Sequence, residues 1–269
     1  KGQGSVMDRA RRLQARYVST PAEISSQIAD ASSSASTRAA LLDELTKRSP
    51  TAAVASSKAL LSADTRGALR GKAEEVLAKS DPAEAVEFLS KSAGSGDIRD
   101  RQRAVKVLGS IGTPESGHAL SALTDRLQAG LLGGAVALEV YEAAMKLPAE
   151  SEARRAAAPF GRASNRPAGY SGALLRMGGD PNTGREIFLH HGSAECVRCH
   201  MVGETGGNAG PNLSTVASRL TTDALVDAIV EPNAVVTPGF GAVSAMPSMT
   251  QFLSPREVRD VVAYLSTLK

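Results

Sequence analysis

At 269 residues the chain is long enough for one large domain or two small ones; with 3% aromatics and no Trp, its core must come from Ala, Leu, Val and Ile. A formal net charge of +3 gives no reason to expect a nucleic-acid partner, and no apolar run approaches the length of a membrane span. The charge is uneven: residues 176–269 hold 7 Lys+Arg against 9 Asp+Glu, and residues 1–175 hold 24 against 19.

The chain opens at Lys1 without a charged, apolar, small-residue leader, so a processed or truncated product is expected. Arg9, Arg11, Arg12 and Arg16 then form a basic cluster, which reads as a solvated helix face rather than a seat for an acidic partner. Residues 1–148 carry a repeat in their punctuation. A polar residue precedes Pro at Thr20-Pro21, Ser49-Pro50, Asp81-Pro82 and Thr113-Pro114, at spacings of 29, 32 and 32 residues. Each pair suits a helix start, with the polar side chain as N-cap and Pro in the first turn, where its missing N–H costs nothing. A second helix is expected in each interval, over 36–48, 65–79, 97–109 and 131–146. Leu41, Leu42 and Leu45 mark one apolar face, Val105 and Leu108 another, and Leu120, Leu123 and Leu127 a third. Paired helices at a repeating interval predict a HEAT-like α-solenoid, with an irregular bundle as the alternative. Residues 149–175, with Pro159, Gly161, Pro167, Gly169 and Gly172, read as a linker. A second domain is expected over 176–269, and the whole chain is expected to be all-α.

Only two cysteines occur, and both lie in Cys196-Val197-Arg198-Cys199-His200, so none is left for a structural disulfide elsewhere. The C-x-x-C-H spacing puts two thiols on one turn, able to add to the two vinyl groups of a haem, with the adjacent His held against the iron. A zinc site needs four ligands, and no second Cys/His pair exists. A redox dithiol usually sits in a βαβ context, which this pattern lacks. The motif therefore predicts one covalently attached haem c through Cys196 and Cys199, with His200 on the iron.

Around that motif the chain resembles a class I cytochrome c. Gly184 followed by Phe188 is similar to the first helix of that family, and Tyr264 in Val262-Ala263-Tyr264-Leu265 to its last; the resemblance implies that these helices cross at Gly184. Gly210-Pro211-Asn212-Leu213 is similar to the family loop in which a Pro carbonyl accepts the axial His Nδ1–H, here Pro211 for His200. The last helix is expected to start at Ser254-Pro255-Arg256-Glu257, a capping box. The resemblance implies a Met ligand on the loop before it; Met246, which precedes Pro247, is favoured over Met249 as the sixth ligand. It also implies Arg219 as a propionate partner, with a plain surface Arg as the alternative; Phe240, Val235 and Val236 are apolar candidates for the haem wall. His190 and His191 are expected to be exposed at the end of the first helix.

A wider stretch resembles haem-binding proteins of planctomycetes and verrucomicrobia. These carry HEAT-like repeats and a cytochrome c domain after a β-propeller dehydrogenase-like domain. The likeness runs through Gly184–Phe188, Cys196–His200, Gly210–Leu213, Glu231-Pro232-Asn233-Ala234 and Ser244–Pro247. No propeller falls within these 269 residues, and the strand-rich insertion of many members is absent between Phe240 and Met246. The expected role is single-electron transfer between a dehydrogenase domain or partner and another redox carrier, not catalysis by the chain itself. The alternatives are an open sixth position used in peroxide or gas chemistry, and a helical docking scaffold with an accessory haem. Because haem is attached to reduced thiols after export, a periplasmic or extracytoplasmic location is expected.

Overall fold

The computed structural model describes residues 2–63, 65–162 and 166–269; the side chains of 2–6 and 15–17, among them Arg16 of the basic cluster, lie outside the described set. Every regular element among the described residues is a helix, apart from one isolated bridge between Val202 and Thr205. The chain divides into two compact units, Lys1–Leu120 and Ser121–Lys269.

The first unit runs through α1 (Gly2–Tyr17), α2 (Pro21–Ala29), α3 (Ala35–Arg48), α4 (Pro50–Ser62), α5 (Gly67–Ser80), α6 (Pro82–Gly94) and α7 (Ile98–Ile111) into α8 (Pro114–Gln128), within which the division falls. The four Pro-marked starts are observed as read. Thr20, Ser49 and Asp81 each accept the amide three residues on, and Thr20 closes a capping box with Glu23. From α2 to α7 each helix packs on the next, and α5 also packs on α3 and α7, so the apolar faces close over one another in series. Leu41, Leu42, Leu45, Val105 and Leu108 are all buried, as their spacing implies.

The second unit continues through α9 (Ala137–Met145), α10 (Glu152–Ala157), α11 (Gly172–Leu175), α12 (Pro181–His190), α13 (Cys196–Cys199), α14 (Thr222–Val230) and α15 (Pro255–Leu265). The helix expected over 131–146 is shorter than its pattern. Gly130 and Gly133 take positive φ, and the helix proper begins at Ala137 after a single 3-10 turn. The stretch 149–175 is not bare linker. It carries α10, a 3-10 turn and α11, and it buries Ala153, Ala157, Tyr170, Leu174 and Leu175. A polar seam that periodicity does not show runs through this unit. Glu139 of α9 is fully buried and receives two parallel bonds from the Arg259 guanidinium of α15, at 2.9 and 3.0 Å. Arg256 adds a bond to Glu139 at 3.2 Å and one to Glu142 at 2.9 Å.

The crossing of α12 and α15 is the frame of the unit. A Cβ on Gly184 would lie 1.9 Å from the Asp260 carbonyl oxygen, so only glycine permits this approach. One turn on, the Phe188 and Tyr264 rings pack at a 54° tilt with centroids 5.6 Å apart, as the family resemblance implies. The Asp180 amide donates to the Asp260 carboxylate at 2.8 Å, tying the start of α12 to the same point; burial pushes that carboxyl up against the lowering effect of this bond and of Arg259. The α15 start is the expected capping box, Ser254 with Glu257, with Pro255 in the first turn.

Candidate haem site

Between α12 and α13 the chain turns sharply. His191 caps the end of α12, and its Nδ1 accepts the amides of Ser193 and Ala194 at 3.3 and 3.1 Å. His190 is exposed, as expected, whereas His191 is drawn in and its Nε2 lies 3.8 Å from Glu257. Glu195 follows in a left-handed conformation, φ 42°, the only non-glycine residue with positive φ among those described. Such a residue is held there by its surroundings; here it ends the turn and starts the one-turn helix α13, which presents both cysteines. Cys196 is half-buried, Cys199 is exposed, and neither is in a disulfide. Burial pushes the Cys196 thiol up, and Cys199 adds to the effect. A working redox dithiol requires the opposite, a stabilised thiolate. No group of three or more His, Cys, Asp and Glu side chains gathers at metal-binding distance among the described residues.

The loop after the motif folds back along it. Gly207 and Gly210 donate their amides to the carbonyls of Val197 and Cys199, both at 2.8 Å, and Leu213 donates to Met201 at 2.9 Å. The Pro211 carbonyl thereby reaches 2.9 Å from His200 Nδ1. A proton on Nδ1 satisfies that carbonyl and leaves Nε2 as a free electron pair, the tautomer an iron ligand needs. Two glycines make the arrangement possible. A Cβ on Gly210 would stand 2.6 Å from His200 Cε1, and one on Gly206, whose φ is +117°, would stand 2.1 Å from the His200 carbonyl oxygen. Gly206 lies outside the motifs that mark the site in sequence. Its signal was the Gly206-Gly207 pair just after C-x-x-C-H, which supplies positive φ where the loop must reverse.

Arg219 donates to the Asn212 carbonyl at 2.9 Å and is exposed, so it braces the same loop from its far end. Phe240 is 38% exposed, Val236 half-buried and Val235 83% exposed. Met246 is half-buried on the loop between α14 and α15, while Met249 is 5% exposed in a 3-10 turn. The Met246 loop is ordered by its own polar groups. Asn233 Oδ1 accepts the Ser244 amide at 2.8 Å, Ser244 Oγ accepts the Met246 amide at 3.1 Å, and Ser248 Oγ donates to the Val230 carbonyl at 2.6 Å. Met246 lines a cavity of about 640 Å³ together with Pro167, Val230, Pro247 and Ser248; the residues of the C-x-x-C-H motif are not part of that lining. The structure therefore unites His200, Pro211 and Arg219 around one loop, and sets Met246 on a second, separately braced one.

These residues fit a haem. The thiols are in no disulfide and both lie on one turn, and the His200 ring is held through Nδ1 with its Nε2 available. The cytochrome c family model matches residues 182–269. A curated relative, the cytochrome c subunit of alcohol dehydrogenase (quinone) from Gluconobacter oxydans (strain 621H), is 34% identical over 113 residues, which is 40% of this chain and 23% of the relative. The chain thus spans about a quarter of that relative's length. No solved structure matches the chain. Its C-terminal part is a cytochrome c domain, and such a domain carries covalently bound haem c; Cys196 and Cys199, the only cysteines, lie within it.

Proposed function

We propose that the C-terminal domain passes single electrons from a dehydrogenase domain or partner to another carrier, through a haem c held by Cys196 and Cys199 and ligated by His200 and Met246. The observation that carries this reading is the 2.9 Å contact between His200 Nδ1 and the Pro211 carbonyl, which favours a proton on Nδ1 and so leaves the Nε2 electron pair available to a metal. When bound, the haem supplies one-electron exchange between ferric and ferrous iron. The protein's own groups do the rest. Pro211 orients His200 and raises its basicity. The Met246 thioether, a soft donor, favours the ferrous state and closes the iron to outside ligands. Met246 is favoured over Met249 because Met249 is already packed into the core, 5% exposed, whereas Met246 is half-buried on a braced loop. Arg219 is proposed to reach a propionate from the Asn212 loop, and Phe240 to cover one haem edge.

The relative named above supports a dehydrogenase as the donor. The periplasm or cell exterior is the proposed site, since haem attachment follows export. The serial packing of α2 to α7 supports HEAT-like repeats of the planctomycete and verrucomicrobial kind for residues 1–148, with 149–175 joining them to the haem domain.

Replacing Met246 tests the ligation. Met246→Ala is expected to lower the potential, abolish the sulfur-to-iron charge-transfer band and admit carbon monoxide to the ferrous iron. Met249→Ala is expected to do none of these and to cost only packing, about 2–5 kcal/mol. Ready binding of carbon monoxide by the unaltered holoprotein would replace the electron carrier with a haem that reacts at an open position.

A further inference from the structure

The sixth-ligand loop is long, running from Glu231 at the end of α14 to Ser254 at the start of α15. Within it the Ser244 amide donates to Asn233 Oδ1, and Ser248 Oγ ties its second half back to the Val230 carbonyl at the end of α14. The segment from Arg166 to Ser171 holds its two stems from outside. Arg166, with a side chain 12% exposed, donates from Nε to Glu231 at 2.8 Å and from Nη2 to Asp227 at 2.6 Å, gripping the last turn of α14 where the loop departs. Tyr170 is 9% exposed and its hydroxyl donates to the Leu253 carbonyl at 2.7 Å, where the loop rejoins α15. Between the two, Pro167 lines the same cavity as Met246 and Pro247. The segment is itself held rigid. The Gly169 amide donates to the Gly161 carbonyl at 3.1 Å, the Tyr170 amide to the Pro167 carbonyl at 3.2 Å, and Ser171 Oγ bonds the Phe160 carbonyl.

We infer that residues 166–171 are a positioning strap for the iron's sixth ligand: Arg166 and Tyr170 clamp both stems of the loop that carries Met246, and so hold its thioether on the metal. The inference rests on Met246 ligation as proposed above. Physically, a Met on a loop with one free stem loses the iron to loop entropy, because a flexible closure has many conformations without the bond and one with it. Two anchored stems leave the thioether little else to do. The strap lies outside residues 182–269, the stretch the family model matches, so ligation of this haem depends on chain that precedes its own domain.

The test uses the full-length holoprotein and reads the iron directly. Tyr170→Phe removes one hydroxyl while keeping the ring, and Arg166→Gln removes the charge that meets two carboxylates. In each, the fraction of ferric protein lacking the charge-transfer band, and the ferrous affinity for carbon monoxide, are expected to rise about tenfold, the factor for a lost hydrogen bond of roughly 1.4 kcal/mol. The potential is expected to fall with them, covalent haem content to stay unchanged, and Arg166→Lys to restore part of the band. Glu139→Ala serves as the control for general loosening, since Glu139 pairs with α15 and touches neither stem. If both strap variants match the unaltered protein, or open the iron no more than Glu139→Ala does, the strap is overturned. If instead Met246→Ala leaves the iron closed, the ligation reading has failed and the strap inference falls with it, a result distinguishable because it appears in the Met246 variant itself.

Discussion

Gly184→Ala is the sharpest test of how the haem domain is built. The substitution adds one carbon inside α12, where Ala is ordinarily better than Gly by about 1 kcal/mol. Here that carbon would sit 1.9 Å from the Asp260 carbonyl oxygen and 2.4 Å from its carbon, against the 3.0 Å below which real Cβ atoms essentially never come. The obstacle is the backbone of α15, not a side-chain tip that can swing away, so the helices must separate by about 1 Å. Overpacking of this kind costs about 1–3 kcal/mol. Separation also loosens the Phe188–Tyr264 pair, at 5.6 Å between centroids, which is worth about 0.5–1.5 kcal/mol beyond its area. Set against the gain in helix propensity, the net expectation is destabilisation by about 1–3 kcal/mol, or a fall in melting temperature of roughly 3–10 °C for a unit this size. Thermal unfolding of the holoprotein, followed by far-UV circular dichroism and haem absorbance together, measures it. A melting temperature equal to or above that of the unaltered protein would mean that α12 and α15 do not touch at Gly184, and the crossing as described would be wrong.

Glu139→Ala leaves the buried Arg259 without the carboxylate that accepts from its Nη1 and Nη2, in a guanidinium whose buried Nε already meets no acceptor; the expected loss is about 3–5 kcal/mol in chemical denaturation, and a loss below about 1 kcal/mol would show the seam to be solvated. Glu257 gives a pH signature: burial raises its carboxyl, but the Ser254 amide and hydroxyl outweigh burial and hold it below the ordinary value of 4.5. Its contribution is therefore full above that value and is lost as pH falls through the lower folded one. Glu257→Gln is expected to be less stable at neutral pH and to show a flatter decline in acid, and an unchanged acid limb would count against the capping box as a stabilising element.

The local features of this protein were legible in its sequence because they are set by neighbours. Thr20, Ser49 and Asp81 before Pro start helices wherever the chain takes them, since cap and ring act within a single turn. The C-x-x-C-H spacing is likewise a property of one turn, and so is the Ser254–Glu257 capping box. Gly184, Phe188 and Tyr264 were legible for another reason: their order matches a known pattern, although 80 residues separate the two partners in the crossing. What no local pattern carries is pairing between polar groups distant in sequence. Glu139 looks like the exposed side of an amphipathic helix, and only the guanidinium of Arg259, 120 residues on, makes it a buried group. Arg166 and Tyr170 sit among Pro and Gly that read as a linker, and their partners Asp227, Glu231 and Leu253 lie 61 to 83 residues away. A turn is decided by the steric and hydrogen-bonding preferences of four or five residues, so sequence alone determines it. A buried ion pair or a hydroxyl aimed at a distant carbonyl exists only once the backbone has brought both ends together, and the tertiary structure alone decides that.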